Sequence, residues 1–229
     1  MIERGYHSLF FPGGTRCRSG MVERKLKLGL AGTGVEAFAR NCLRVQGDAE
    51  ARRVYFVPVT INYSVVLEAE TLIEDYLKET GQARYIIDDD EFSRIDRWIS
   101  FFNKLRGQES ACVLRIGKVL DPFGNDVDEA GDSMTPDGRV LDPVSYVSRK
   151  GVPGLDAARD AGYTRELGRV LVDRYRRETV VMSTNLVANL LYRRLVEQTP
   201  DVGLFGRMRR KGEFAFDRSA LVQEIGQAR

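Results

Sequence analysis

The amino-acid sequence predicts an α/β fold, a mostly parallel sheet flanked by helices, with a helical extension at the C-terminal end. Three observations carry this. Up to about residue 120, apolar runs of strand length alternate with segments of helical period. The run from Val54 to Asn62 is apolar almost throughout, as a parallel strand buried on both faces would be. Beyond residue 155 the period is helical only: Leu167, Val170, Leu171 and Tyr175 share one face, and Leu186, Val187, Leu190, Leu191 and Leu195 share another.

Taken in order, Ile2-Glu3-Arg4-Gly5-Tyr6 reads as the last turn of a helix closed by an αL glycine at Gly5. It leads into a strand at residues 7–11. A domain seldom begins on the final turn of a helix, so an upstream part of the fold is expected outside this sequence. Its absence would leave an unpaired sheet edge and an exposed apolar face near residues 7–11 and 54–62. A glycine-rich loop follows the first strand, and then a helix of about 28–45 with Val35, Phe38, Ala39 and Cys42 at helical spacing. Pro58 forfeits a ladder bond in the 54–62 strand and signals a bulge or an edge. A helix of about 65–78 carries Leu72, Ile73, Tyr76 and Leu77 on one face. Phe92, Ile95, Ile99 and Phe102 mark a further helix, started by Asp88-Asp89-Asp90. A strand runs from Ala111 to Val119 and ends at Asp121-Pro122. Residues 121–143, rich in Gly, Asp and Pro, read as an exposed loop or a small β excursion. No internal repeats or low-complexity tracts are expected. The domain organisation is then a partial α/β core (1–120), a loop-rich excursion (121–154) and a helical extension (155–229).

With 229 residues and 43% apolar content, the chain can bury a core as one domain or a domain plus an appendage. The formal net charge of +2 is too small to imply nucleic acid, so any basic function is local. Cys17, Cys42 and Cys112 form no C-x-x-C pair, which favours a reducing compartment and disfavours a zinc site. The N-terminal residues lack the apolar region of a signal peptide. No apolar run approaches the roughly 18 residues of a transmembrane helix.

The chemistry concentrates in Phe10-Phe11-Pro12-Gly13-Gly14-Thr15-Arg16-Cys17-Arg18-Ser19-Gly20. Glycines allow close backbone approach to a bound group. Arg16 and Arg18 can converge on one oxyanion, which guanidinium groups match bidentately. On composition alone, an oxyanion cradle and a solvated basic turn are both open. Cys17 among these cations is either an activated thiol or simply a small loop residue. Other motifs are weaker. Gly29-Leu30-Ala31-Gly32-Thr33-Gly34 has the wrong glycine order for a dinucleotide fingerprint and reads as helix-start glycines. Met21 and Val22 stand where a Walker loop needs Lys and Ser/Thr. Asp88-Asp89-Asp90-Glu91 are ordinary partners of a helix macrodipole. Arg207, Arg209, Arg210 and Lys211 beside Leu204, Phe205, Met208 and Phe214 suit either an anionic bilayer surface or a solvated helix end.

The residue order in FPGGTRCRSG resembles the F-P-E-G-T-R-S-R motif of the glycerolipid acyltransferases, which acylate glycerol 3-phosphate and its 1-acyl product. Lys25-Leu26-Lys27-Leu28-Gly29 resembles the Lys-x-Gly segment after that motif, and Val57-Pro58-Val59-Thr60-Ile61-Asn62-Tyr63 the family's V-P-V-x-I-x-Y strand. Ser183-Thr184-Asn185-Leu186-Val187-Ala188-Asn189-Leu190-Leu191 is similar to the helical C-terminal part of the glycerol-3-phosphate branch. The resemblance implies a glycerolipid acyltransferase-like fold without its N-terminal part. It assigns Gly14, Thr15, Arg16, Arg18 and Lys27 to substrate binding. It implies transfer of an acyl group from acyl-CoA or acyl carrier protein to glycerol 3-phosphate or lysophosphatidate. No metal and no cofactor are needed for this, nor is nucleic acid a partner. The implied location is cytoplasmic, peripheral on the cytoplasmic face of a membrane.

Two departures qualify the resemblance. The family's catalytic H-x-x-x-x-D has no counterpart: the one histidine, His7, is followed five residues later by Pro12 and adjoins the arginine loop too closely. No catalytic residue is therefore assigned, and the chain is expected to be inactive alone. Gly13 stands where most members carry glutamate, which removes a carboxylate partner for the arginines. The alternative is a non-catalytic relative that binds glycerophosphate or anionic lipid.

Overall fold

The computed structural model describes residues 1–13, 22–45, 50–64, 112–203, 206–207 and 215–227. The described chain is mixed α/β. It divides into two compact units, one within Met1–Ile61 and Leu114–Thr179, the other within Asn62–Leu67, Asp89–Val113 and Val180–Arg229.

The first unit is organised around two helices. Helix α1 (Gly29–Arg44) buries Ala31, Val35, Phe38, Ala39 and Cys42, a 3.6-residue stripe that places one face in the core. Against it lies α3 (Ala157–Glu178), which contributes Leu167 and Leu171, with Val170 and Tyr175 packed at the margin. Glycines let the elements approach. A Cβ on Gly168 would sit 2.6 Å from Leu28 Cδ2, and one on Gly34 would sit 2.5 Å from Phe56 Cζ. The Gly29–Gly34 run is thus a packing surface of α1. Asp156 caps α3 by accepting from the N–H groups of Ala158 and Arg159, both at 3.0 Å. The Ile2–Arg4 turn is a 3-10 helix closed by Gly5 at φ 85°, as the N-terminal sequence predicts.

An aromatic cluster fills the other side of α1. Phe123 stacks on Tyr146 (centroids 4.5 Å, interplanar 10°) and meets Phe38 and Tyr163 edge-on at 5.7 and 5.1 Å. Phe123 is buried, so the start of the 121–143 segment belongs to the core and is not exposed. Tyr146 sits on the short helix α2 (Val144–Val147). Beyond it, β6 (Ser148–Arg149) and β7 (Val152–Pro153) form a hairpin whose two-residue turn, Lys150-Gly151, has positive φ at both positions.

Strands β1 (Val59–Tyr63) and β2 (Cys112–Ile116) pair in a two-stranded sheet. It continues from an antiparallel bridge between Phe56 and Leu120, which exchange both N–H···O bonds at 2.8 and 2.9 Å. A second antiparallel bridge joins Leu120 to Asp126, at the start of a three-stranded meander: β3 (Asp126–Val127), β4 (Ser133–Met134) and β5 (Val140–Leu141).

The meander is an internal repeat of seven residues, contrary to the expectation of none. Asp121-Pro-Phe-Gly124-Asn125, Asp128-Glu-Ala-Gly131-Asp132 and Thr135-Pro-Asp-Gly138-Arg139 make the same turn three times. In each, the N–H of the first residue donates to the carbonyl of the fifth (3.0, 3.0 and 2.8 Å), and the glycine N–H donates to the carbonyl of the first (3.2, 3.1 and 2.9 Å). The first residue's side-chain oxygen accepts the N–H of the fifth at 2.9, 2.8 and 3.0 Å. Gly124, Gly131 and Gly138 sit at φ 88°, 87° and 83°, which an L side chain adopts only with strain. A fourth start, Asp142-Pro143-Val144-Ser145, has serine in the glycine place, and the chain turns into α2 instead.

The predicted parallel order is therefore corrected for the described residues: the registers of β3–β4, β4–β5 and β6–β7 and both bridges are antiparallel. Three-residue turns join only antiparallel neighbours, since a parallel crossover needs a dozen residues or more. The 54–62 strand is corrected too. It starts at Val59, because buried Pro58 has no N–H to give; its carbonyl accepts from Gly117 N–H at 2.8 Å. It is covered on one face only. Thr60 donates to the Glu178 carbonyl (3.0 Å) and Arg115 pairs with the Glu178 carboxylate (2.6 Å), while Tyr55, Val57, Ile61, Leu114 and Ile116 are exposed. Residues 7–11 form no strand: Phe10 packs on the core, while His7, Leu9 and Phe11 lie exposed. The expected helices at 65–78 and 92–102 fall outside the described residues.

In the second unit, α4 (Ser183–Gln198) and α5 (Arg218–Gln227) are joined by an Arg194–Glu224 ion pair at 2.6 Å. Leu186, Val187, Leu190, Leu191 and Leu195 are half-buried. Arg207 is committed to the end of α4: its guanidinium donates to the Thr199 carbonyl at 2.7 Å and hydroxyl at 2.8 Å. That removes Arg207 from the predicted cationic surface.

Candidate phosphate site

The base of the arginine loop is closed by one main-chain bond, Lys27 N–H to the Pro12 carbonyl at 2.7 Å. Pro12 cannot donate but has a free carbonyl, and the glycines after it let the chain leave at a sharp angle. Beside that bond, the Glu23 side chain folds over Gly13. A Cβ built there would meet Glu23 Oε1 at 2.5 Å and Cδ at 2.8 Å. Two residues beyond Lys27, α1 begins at Gly29.

That helix start has no side-chain cap and no acidic residue in its first turn. Its first intrahelical bond is Gly32 N–H to the Leu28 carbonyl, 2.8 Å, which leaves the preceding N–H groups without helical partners. The macrodipole puts partial positive charge there. Lys27 is exposed, with its ammonium free to meet a ligand. The sequence from 16 to 27 carries Arg16, Arg18, Arg24, Lys25 and Lys27 against a single carboxylate, Glu23. The arrangement suits an anion with several acceptor oxygens.

Of the predicted substrate-binding residues, Lys27 is placed by the structure; Gly14, Thr15, Arg16 and Arg18 lie outside the described residues, as does Cys17. Asp88-Asp89-Asp90-Glu91 and most of the 204–214 segment lie outside them as well. Glu23 went unnoticed in the sequence. Its signal was there, since it is the one acidic residue between Glu3 and Glu36.

Elsewhere, a cavity of about 360 Å³ is lined by Phe38, Cys42, Ala51, Asp142, Val144 and Pro153. Burial, helped by the Asp142 carboxylate, pushes the Cys42 thiol up to about 11, so it stays protonated and is no nucleophile at neutral pH. Among the described residues no group of three or more His, Cys, Asp or Glu is placed to hold a metal ion. Nor is any helix among them long and apolar enough to cross a membrane. No protein-family model, curated protein or solved structure matches the chain.

Proposed function

We propose that the chain is the phosphate-holding part of a phospholipid-synthesis acyltransferase, one that acylates glycerol 3-phosphate or its 1-acyl product. The observation that supports this most is the closed loop itself: a glycine-rich segment with two arginines returns through Lys27 to Pro12, directly before an uncapped helix start. Arg16, Arg18 and Lys27 would hold the phosphate, with Gly14 and Thr15 giving close backbone approach. A phosphate held this way fixes the glycerol hydroxyl, a positioning effect worth several kcal/mol in rate. The hydroxyl, losing its proton to a general base, attacks the thioester carbonyl of acyl-CoA or acyl carrier protein; the C–S bond breaks and the thiolate takes up a proton. The base belongs to an H-x-x-x-x-D that this sequence does not contain, and would be supplied by residues outside it. The acyltransferase-like, mostly parallel sheet would need strands beyond those described.

The cations that remain at 209–211, with their apolar neighbours, would hold the protein peripherally on the cytoplasmic face of an anionic membrane. A second reading, a non-catalytic relative that binds glycerophosphate or anionic lipid, is favoured by one observation: His7 is followed by Pro12 where an orienting aspartate would stand.

Calorimetric titration of the chain with glycerol 3-phosphate tests the proposal. Weak binding that Arg16→Ala abolishes is the expected result; equal affinity of the two proteins would sink it.

A further inference from the structure

We infer that Glu23 is a positioning residue of the arginine loop, supplying from position 23 the carboxylate that the motif resembling this loop carries at position 13; this rests on the phosphate-site reading above. The two positions exclude each other in space. Glu23 Oε1, Cδ and Cγ lie 2.5, 2.8 and 3.1 Å from where a Cβ on Gly13 would be, so the carboxylate occupies the volume in which a side chain at 13 would begin. Glycine is what leaves room for it.

The charge pattern points the same way. Glu23 is half-buried and forms no ion pair among the described residues, while five cations lie between 16 and 27. A half-buried carboxylate is costly unless cations or N–H groups satisfy it. A guanidinium has five N–H groups in a rigid fork, so it can lean on a carboxylate with one edge and offer another to phosphate. Glu23 would then preorganise the cations at a place fixed by the Lys27–Pro12 bond. If it were merely a bystander, its negative charge would oppose a bound phosphate, and removing it would strengthen binding. The two roles differ in sign.

The test is calorimetric titration of the full chain with glycerol 3-phosphate and, separately, inorganic phosphate. The proteins are wild type, Glu23→Gln, Glu23→Ala and the double variant Gly13→Glu/Glu23→Ala, with melting temperatures as a folding control. Loss of a charge-assisted hydrogen bond predicts about tenfold weaker binding for Glu23→Gln and Glu23→Ala. The double variant should regain most of it, because the carboxylate returns from the other side of the same contact. Parallel losses for both ligands place the effect on the phosphate, and a loss for glycerol 3-phosphate alone places it on the glycerol. Unchanged or tighter binding in Glu23→Gln, or no recovery in a folded double variant, overturns the inference while leaving the phosphate site standing. Absence of binding by wild type overturns the phosphate-site reading and this inference with it.

Discussion

The main-chain N–H of Lys27 donates to the carbonyl of Pro12 at 2.7 Å, so the arginine loop leaves and returns at one point. The bond involves the backbone of Lys27 and leaves its ammonium exposed, which separates two contributions of this residue. Lys27→Ala keeps the closure and loses the charge. Its affinity for glycerol 3-phosphate should fall about tenfold, as for one charged hydrogen bond, with the melting temperature unchanged. Lys27→Pro removes the N–H as well and should lose both binding and thermal stability. Equal titration curves for Lys27→Ala and wild type would remove Lys27 from the site.

The seven-residue turns make a graded prediction. Gly138 faces open space, so Gly138→Ala carries only the strain of an L residue at positive φ, about 1–2 kcal/mol. A Cβ on Gly124 would press on Val170 Cγ2 at 3.1 Å, and one on Gly131 would meet the Tyr55 hydroxyl at 2.8 Å. The Gly131 carbonyl also accepts from Tyr55 Oη at 2.9 Å and from the Arg53 guanidinium. Urea unfolding should therefore rank Gly138→Ala as the mildest and Gly131→Ala as the most severe.

Phe123 joins three aromatic partners from three separate elements, and it is buried. Truncation to alanine should cost about 3–5 kcal/mol, the range for large aromatic side chains in a core. Phe123→Leu keeps much of the volume and should cost less. Near-ultraviolet circular dichroism will check that the lost signal is that of Tyr146 and Tyr163 losing their stacked neighbour.

Stability should also fall at alkaline pH. Burial first, then the Asp142 charge, raises the Cys42 thiol from an ordinary value near 9 to about 11 in the fold. Below pH 9 both states hold the proton and the contribution is intact. Between pH 9 and 11 the unfolded chain ionises first, so stability drops, by roughly 2 kcal/mol for a shift of this size. Burial raises the Tyr175 hydroxyl as well, which extends the loss upward. Cys42→Ala should flatten the pH 9–11 part of a denaturant-midpoint profile and leave the higher part in place. In thiol labelling at pH 8, Cys112 should react in the folded protein and Cys42 only on unfolding.

What the sequence reveals depends on the range of the signal. Helix α1 was readable because Val35, Phe38, Ala39 and Cys42 repeat at its period. The same kind of pattern marked α3 as a helix, but nothing in it told that Leu167 and Leu171 pack on α1 in one compact unit. Residues 7–11 had strand composition and no ladder partner among the described residues, and composition alone does not make a strand. The repeat at 121–141 escaped notice because its strands are two residues long, too short for any alternation to show. Only the glycine spacing of seven betrays it. At the candidate site, the cations were visible as a local motif. Glu23 was not, since its contact with Gly13 exists only once the loop closes.

The last prediction concerns chemistry. A general base contributes about 10²- to 10⁴-fold to rate, and this sequence holds a single histidine without the aspartate five residues on. His7 is exposed, in a stretch with no strand pairing to fix its direction. A base must be held within hydrogen-bond reach of the hydroxyl it deprotonates, which a solvated side chain on irregular backbone does poorly. The chain assayed alone with radiolabelled acyl-CoA and glycerol 3-phosphate should therefore transfer no acyl group, although it binds the phosphate. His7→Ala should bind as wild type does. Exposed Leu9, Phe11, Val57 and Ile116 should also make the chain self-associate at high concentration, measurable by light scattering. Turnover by the chain alone that disappears in His7→Ala would make His7 the base after all, and the phosphate held at Arg16, Arg18 and Lys27 would then have to present its hydroxyl to residue 7.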